Sequence, residues 1–262
     1  MIERGYSKAA IKTLWDILLP FSDYAFNKAH SAAYGVISYW TAWLKANYPV
    51  EYMAALLQSV RDDKDKSALY LAECRHMGIE VLPPDVNSSE VMFTPVGDHI
   101  RFGLGAVRNV GDKVVTAWIE ERNKVGPATD FYDFLDKAPL LMCNKRVVES
   151  LIKSGAFDEL NHTRRSLMGI FENAVDSIID LKRNAENGQD GFDFGFDMGD
   201  EEESASSMHG AVPEVDEWDR RTKLAFEREM LGLYVSDHPL NGLEHVLQSN
   251  GDRSIASAVA ED

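Results

Sequence analysis

Between Gly188 and Asp219 the chain carries eleven Asp or Glu residues and not one Lys or Arg. Such a stretch, rich also in Gly and Ser, cannot bury enough apolar surface to offset the entropy lost in ordering it. It reads as an acidic disordered linker over 188–217, with a body of chain before it and a short helical tail, 218–262, after it. It also distorts the charge balance. The formal net charge is −16 at pH 7, and setting aside the eleven acids of this segment leaves −5 on the remainder. The overall acidity therefore does not exclude a nucleic-acid role for the body.

The body opens with helical signals. Ser7 is placed to cap a helix through Ile11, Leu14 and Trp15. A second helix starts at Asn27, a good N-cap, and carries Ala33, Ile37, Trp40 and Leu44 at i, i+4, i+7 and i+11, a spacing that puts all four on one face and predicts that this face is core. Pro49 ends it and opens a third helix through Tyr52, Met53, Leu56 and Leu57. A fourth, through Leu69, Tyr70 and Cys74, is closed by Gly78. In the second helix Lys28 and His30 fall in the first turn, where free N–H groups and the positive dipole end favour an anion. Asn27 and Ser31 are their orienting neighbours, so these four residues form a candidate phosphate seat. Spacing alone favours the plainer reading, a hydrogen-bonded core histidine and a solvated lysine.

Short β-prone segments follow at Ile79–Leu82, Val91–Thr94 and His99–Phe102, separated by Pro83-Pro84, Asn87-Ser88-Ser89 and Pro95-Val96-Gly97. After them comes Gly103-Leu104-Gly105-Ala106-Val107-Arg108-Asn109-Val110-Gly111-Asp112-Lys113. Its glycines are spaced G-x-G-x5-G, which does not fit the dinucleotide-binding pattern. A helix-hairpin-helix fits better, with Asn109-Val110-Gly111 as the hairpin and the next helix start pointing its N–H groups at a phosphate. A second hairpin joins a helix carrying Phe131, Phe134 and Leu135 to one capped by Asn144 and running through Val147, Val148, Leu151 and Ile152 to Gly155. Lys145, Arg146, Lys153, Arg164 and Arg165 make this region basic. An ordinary helix-turn-helix core with a solvated basic face is the competing reading. The fold class is thus mainly α, two helical units around a small β ribbon, then the acidic linker and a short helical tail.

Cys74 and Cys143 stand far apart without His or Cys at metal spacing, so neither a zinc site nor a disulfide framework is expected. No apolar run approaches the ~20 residues that span a bilayer, and a cytoplasmic location without a membrane partner is expected.

Several of these motifs recur together in one family. Phe26 to Leu44 with Tyr48-Pro49, Glu73-Cys74, Gly78 to Asn87, Ile100 to Leu104, Asn109-Val110-Gly111, Asn144-Lys145-Arg146 and Gly155-Ala156-Phe157-Asp158 follow the order seen in the C-family DNA polymerases, the alpha subunits of bacterial DNA polymerase III, and the stretch resembles their fingers and tandem helix-hairpin-helix region. The resemblance implies the C-terminal part of the fingers over 1–84, a β-ribbon connector over 85–102, and a tandem helix-hairpin-helix DNA-binding unit over 103–187. Residues 218–262 would be a helix and lead-in to an oligonucleotide-binding barrel that this chain lacks. It further implies that Asn27, Lys28, His30 and Ser31 face the incoming deoxynucleoside triphosphate. Arg108, Asn109, Val110, Gly111, Lys113, Lys145, Arg146 and Lys153 would face the backbone of primer-template DNA, in sequence-independent binding.

Family members transfer nucleotides with Mg2+ held by palm aspartates upstream of the fingers, and they work with the other polymerase III holoenzyme subunits. No palm is legible here, so the chain reads as a fragment of a DNA-directed DNA polymerase, a nucleotidyltransferase of chromosomal replication. It would bind no metal and have no polymerase activity by itself. A free-standing non-sequence-specific DNA-binding module, a fragment of the error-prone paralogue and a helical interaction protein are the alternatives.

Overall fold

In the computed structural model, which describes residues 1–22, 28–186 and 211–243, the chain forms two compact units, Met1–Tyr52 and Met53–Asp262. The first consists of a 3-10 turn at Ile2–Arg4, helix α1 (Lys8–Ser22), helix α2 (Lys28–Asn47) and the first turn of α3 (Pro49–Ser59). Ser7 caps α1 as expected, its Oγ accepting the Ala10 N–H at 3.2 Å. Pro49 stands at the first position of α3, where its missing N–H leaves nothing unpaired. The expected core face of α2 is corrected: Ile37, Trp40 and Leu44 are 49%, 60% and 42% exposed. Helical spacing draws a stripe, but a stripe is buried only where another element covers it, and among the described residues none does.

The second unit starts with the rest of α3, which buries Met53, Ala54 and Leu57. Helix α4 (Lys64–His76) is capped by Asp63, whose carboxylate accepts the Lys66 N–H at 3.1 Å. It ends at Gly78, which takes a left-handed φ of 74° so that the Ile79 N–H reaches back to the Cys74 carbonyl at 2.9 Å. Three short strands follow, β1 (Val81–Leu82), β2 (Thr94–Val96) and β3 (His99–Arg101), in the order β1-β3-β2. Strand β1 runs parallel to β3 with Val81 opposite Ile100, and β2 runs antiparallel with Pro95 opposite Ile100.

The strand expected over 91–94 therefore lies two to three residues later, on the sheet edge where Pro95 needs no N–H. The cause is local. The Glu90 and Val91 carbonyls are taken by the Leu104 and Gly105 N–H groups at 2.9 and 3.0 Å. This crossing is so close that a Cβ on Gly103 would lie 2.5 Å from the Met92 carbonyl carbon.

Residues 85–90 form irregular backbone that is buried at Asp85, Val86 and Ser89, and side chains help to satisfy it. Trp118 Nε1 donates to the Val86 carbonyl at 2.8 Å, and Arg122 Nη1 donates to the Val86 and Ser89 carbonyls at 3.0 and 2.9 Å. Ser89 Oγ accepts from the Asp85 N–H and donates to the Phe102 carbonyl, while Asn87 exchanges two 2.8 Å hydrogen bonds with the backbone of Ala128. Trp118 and Arg122 belong to α5 (Asp112–Val125), which leads to α6 (Phe131–Lys137), α7 (Lys145–Ser154), α8 (Arg164–Glu186) and α9 (Arg220–Leu231). Aromatic rings join these helices: Trp118 to Phe134 at 4.8 Å, and Phe157 to Phe131 and Phe134 at 5.3 and 4.9 Å. Leu167, Phe171, Val175 and Ile178 give α8 a buried stripe of its own.

An ion cluster locks the last helices together. Arg164, at the start of α8 and 1% exposed, bonds Asp158 through Nε and Nη2 at 2.8 and 2.7 Å, and its Nη2 also meets Glu227 Oε1 of α9 at 3.1 Å. Burial works to lower the Arg164 pKa, but the two carboxylates outweigh it and hold the guanidinium above its ordinary value. Glu227 is itself fully buried and accepts from Ser236 N–H and Oγ.

The acidic linker expectation needs a correction at its C-terminal end. Residues 187–210 lie outside the described residues, as does the barrel lead-in over 244–262. Val215 and Glu217, however, are fixed. Glu217 Oε2 and Oε1 accept the Arg164 and Arg165 N–H groups at 3.0 and 3.3 Å, and Thr163 Oγ1 donates to the Val215 carbonyl at 2.9 Å. Glu217 thus caps α8, a use of charge that a count of acids does not reveal.

The Arg164 cluster predicts a large, asymmetric stability effect. Glu227→Leu strands a buried guanidinium on one partner and lowers the unfolding free energy by about 3–5 kcal/mol, whereas Glu227→Leu combined with Arg164→Met recovers much of that loss. Urea unfolding of the two variants measures it, and a midpoint unmoved by Glu227→Leu contradicts the assigned pairing.

Candidate nucleic-acid interface

The first hairpin is set by two residues. Asn109 adopts a left-handed φ of 66°, a conformation Asn tolerates better than most side chains. Its Nδ2 donates to Ser150 Oγ at 3.0 Å. Ser150 Oγ in turn donates to the Arg146 carbonyl at 2.8 Å, so the hairpin rests on the first turns of α7. Val110 is buried and anchors the tip, and the Arg108 N–H donates to the Met230 carbonyl of α9 at 2.9 Å. Where the sequence suggested a helix on each side of this hairpin, the structure has only a 3-10 turn, Leu104–Ala106, before it. The close Gly103 crossing leaves no length for more.

Gly111 is the N-cap of α5, in extended conformation and without a side-chain cap. A Cβ built on it would meet no atom within 4 Å, so the surface above this helix start is open. The N–H groups of Gly111, Asp112 and Lys113 bond no described residue. Three amides at a positive dipole end are the elements of an anion seat. The Asp112 carboxylate at this point would repel a phosphate, but Arg61 grips it with two 3.0 Å hydrogen bonds. The hydrogen bond to Asp112 holds the Arg61 pKa above its ordinary value despite some burial.

The candidate cations divide into two groups. Arg108, Lys113 and Arg146 are exposed and their side chains form no ion pair with any described residue. Lys145 is bonded to Asp176 at 2.7 Å, which raises its pKa. Lys153 bonds Glu149 at 2.7 Å and lies 5.2 Å from the centroid of the Phe226 ring, largely covered. Arg108, Asn109, Val110, Gly111 and Lys113 thus lie together in the hairpin, which Asn109 and Ser150 tie to the Arg146 turn of α7, while Lys145 is held by Asp176 of α8 and Lys153 by Glu149 of its own helix. Ser150, which holds the hairpin to α7, was not among the candidates, and nothing in its local sequence marks it.

Of the nucleotide candidates, Asn27 and the Lys28 side chain lie outside the described residues, while Lys28 is the first residue of α2. His30 and Ser31 are exposed in the first turn, with the His30 ring 4.4 Å from that of Tyr34. Among the described residues no three His, Cys, Asp or Glu side chains converge in a way that fits a metal, so the Mg2+ that the resemblance implies finds no ligand set there. Nor is any helix among them long and apolar enough to cross a membrane.

Residues 78–167 match the family model of the helix-hairpin-helix motif. Over 262 residues the chain is 54% identical to the DNA polymerase III subunit alpha of Mycobacterium tuberculosis, covering all of this chain and 22% of that protein. It is 56% identical over 260 residues to the corresponding protein of Saccharopolyspora erythraea and 41% identical over 260 residues to that of Thermus aquaticus, covering 22% and 20% of those proteins. The chain spans about a fifth of the length of these curated relatives. Matches of this identity run along the whole length of the chain, which corresponds to a segment of DNA polymerase III alpha subunits.

Proposed function

We propose that the chain serves chromosomal DNA replication as part of a DNA polymerase III alpha subunit, and that its helix-hairpin-helix unit holds duplex DNA by the phosphate backbone. The observation that carries this reading is the open start of α5, where three amides that bond no described residue adjoin Arg108 and Lys113, and Asn109 ties the hairpin to the helix that carries Arg146; none of these three cations has a carboxylate partner among the described residues. Such a site reads the spacing of phosphates and not the identity of bases. Asn109 and Ser150 act here as positioning residues that fix the hairpin against α7. Lys145 and Lys153 are supporting charges, shared with their own carboxylates.

In the same reading the first turn of α2 seats the phosphates of the incoming deoxynucleoside triphosphate, with Lys28 and His30 supplying charge and Asn27 and Ser31 orientation. The support is the position of Lys28 at the helix start and the motif from Phe26 to Leu44. Metal-dependent nucleotidyl transfer, with Mg2+, then falls to palm carboxylates outside these residues, and the other holoenzyme subunits are partners of the whole protein.

Two measurements check the two halves of this proposal. In the first, Arg146→Ala and Lys113→Ala each weaken duplex binding equally for unrelated DNA sequences, and each reduces the slope of log affinity against log salt by about 0.9. Anisotropy titrations between about 50 and 200 mM salt read this, and a loss confined to one DNA sequence, or no loss, argues against backbone binding. In the second, Lys28→Ala in the whole polymerase raises KM for nucleotide or lowers kcat severely, with primer-template affinity nearly intact; steady-state nucleotide incorporation tests it, and unchanged kinetics remove Lys28 from the site.

A further inference from the structure

Away from the hairpins, a cavity of about 520 Å³ lies between α4 and the end of α9. Its volume is within the range of roughly 300–1,000 Å³ typical of small-molecule sites. Lys64, Arg75 and Arg228 line it, with Tyr234 and His238, and Asp65 is its one acid. None of the three cations forms an ion pair with a described residue, in a chain whose acids outnumber its bases by sixteen. Their positions are nevertheless fixed. The Lys64 stem lies against Gly232, where an added Cβ would meet it at 3.5–3.6 Å. Arg75 Nη2 donates to the Tyr234 carbonyl at 3.0 Å, and Arg228 Nη1 donates to the Tyr234 hydroxyl at 3.3 Å with its guanidinium 5.6 Å from the ring centroid.

The carbonyl end of α9 supplies only about half a negative charge, so it and Asp65 do not balance three cations. Tyr234 also lines an adjoining space with Leu71, Arg75 and His238, so the groove continues past the aromatic ring, where two further acids lie, Glu80 and Asp237, the latter held by Arg220. Fixed cations beside an aromatic side chain are the combination that holds a phosphate and stacks the base attached to it.

We propose that this groove is a second phosphate-binding site, separate from the hairpins, that takes a nucleotide phosphate together with its base. The chemistry is shared by a single strand of DNA and a free mononucleotide. Lys64 and Arg228 contact the phosphate, Tyr234 stacks on the base, and Arg75 positions Tyr234 through its backbone carbonyl. The inference stands independently of the hairpin reading, because no residue is common to the two sites.

The test uses the whole chain and a short labelled oligothymidylate. Lys64→Gln combined with Arg228→Gln lowers its affinity and reduces the slope of log affinity against log salt by about 0.7 for each contact removed. Tyr234→Leu weakens it about tenfold by loss of stacking. Duplex affinity in these variants stays as in the parent, whereas Arg146→Ala has the opposite selectivity, so failure of one site is distinguishable from failure of the other. Displacement of the oligonucleotide by thymidine monophosphate identifies a free nucleotide as the ligand, and persistence of binding identifies the strand; either supports the site. The proposal is overturned if the parent does not bind the oligonucleotide, or if variants with unchanged thermal melting bind it as the parent does. An equal loss on single-stranded and duplex DNA also overturns it, since that marks a general field effect.

Discussion

The second unit depends on how it satisfies the irregular backbone of residues 85–90 where it passes inside at Asp85, Val86 and Ser89. An irregular segment inside a protein has no ladder to absorb its N–H and C=O groups, and each one left unpaired would cost about 1–3 kcal/mol. Trp118 and Arg122 meet this need from a single helix, one turn apart. The same contacts set the rotation and height of α5, so the helix start at Gly111 follows from hydrogen bonds made at the other end of the helix. The aromatic packing of Trp118 on Phe134, and of Phe134 on Phe157, carries that placement on to α6 and the turn before α8.

Charge is distributed in this molecule by use. Arg122 and Arg164 are buried and fully occupied by carbonyls and carboxylates, Arg61 neutralises the acid at a helix start, and Lys145 and Lys153 pair with carboxylates close by. Against that background, clusters of cations that form no ion pair with a described residue are informative. They occur around the Asn109 hairpin and in the groove beside Tyr234. The net charge of −16 conceals both, because eleven of the acids fall in one segment.

What the sequence made legible was what short-range chemistry determines. Ser7 and Asn144 accept helix-start amides, and Gly78 and Gly155 end helices in left-handed conformation, because these effects operate within a few residues. The helix-hairpin-helix region and the family were likewise readable, from motifs in a fixed order. What was not legible depends on partners distant in the chain. The stripe of Ile37, Trp40 and Leu44 states what could be buried and not what covers it. The fate of Lys145 rests on Asp176, and that of Lys153 on Phe226. The displacement of β2 comes from a crossing by Gly103 that no local propensity encodes.

The two helix starts that open toward the acidic segment and toward the hairpin differ in one respect. At α8 the Glu217 carboxylate already occupies the first-turn amides; at α5 the Asp112 carboxylate is drawn off by Arg61 and the first amides bond no described residue. A carboxylate tethered by its own chain acts at an effective concentration on the order of millimolar or above, so a phosphate arriving at α8 must compete with a resident anion, while one arriving at α5 displaces only water. The fold thereby leaves one of two helix starts open to an outside anion and fills the other with a carboxylate of its own.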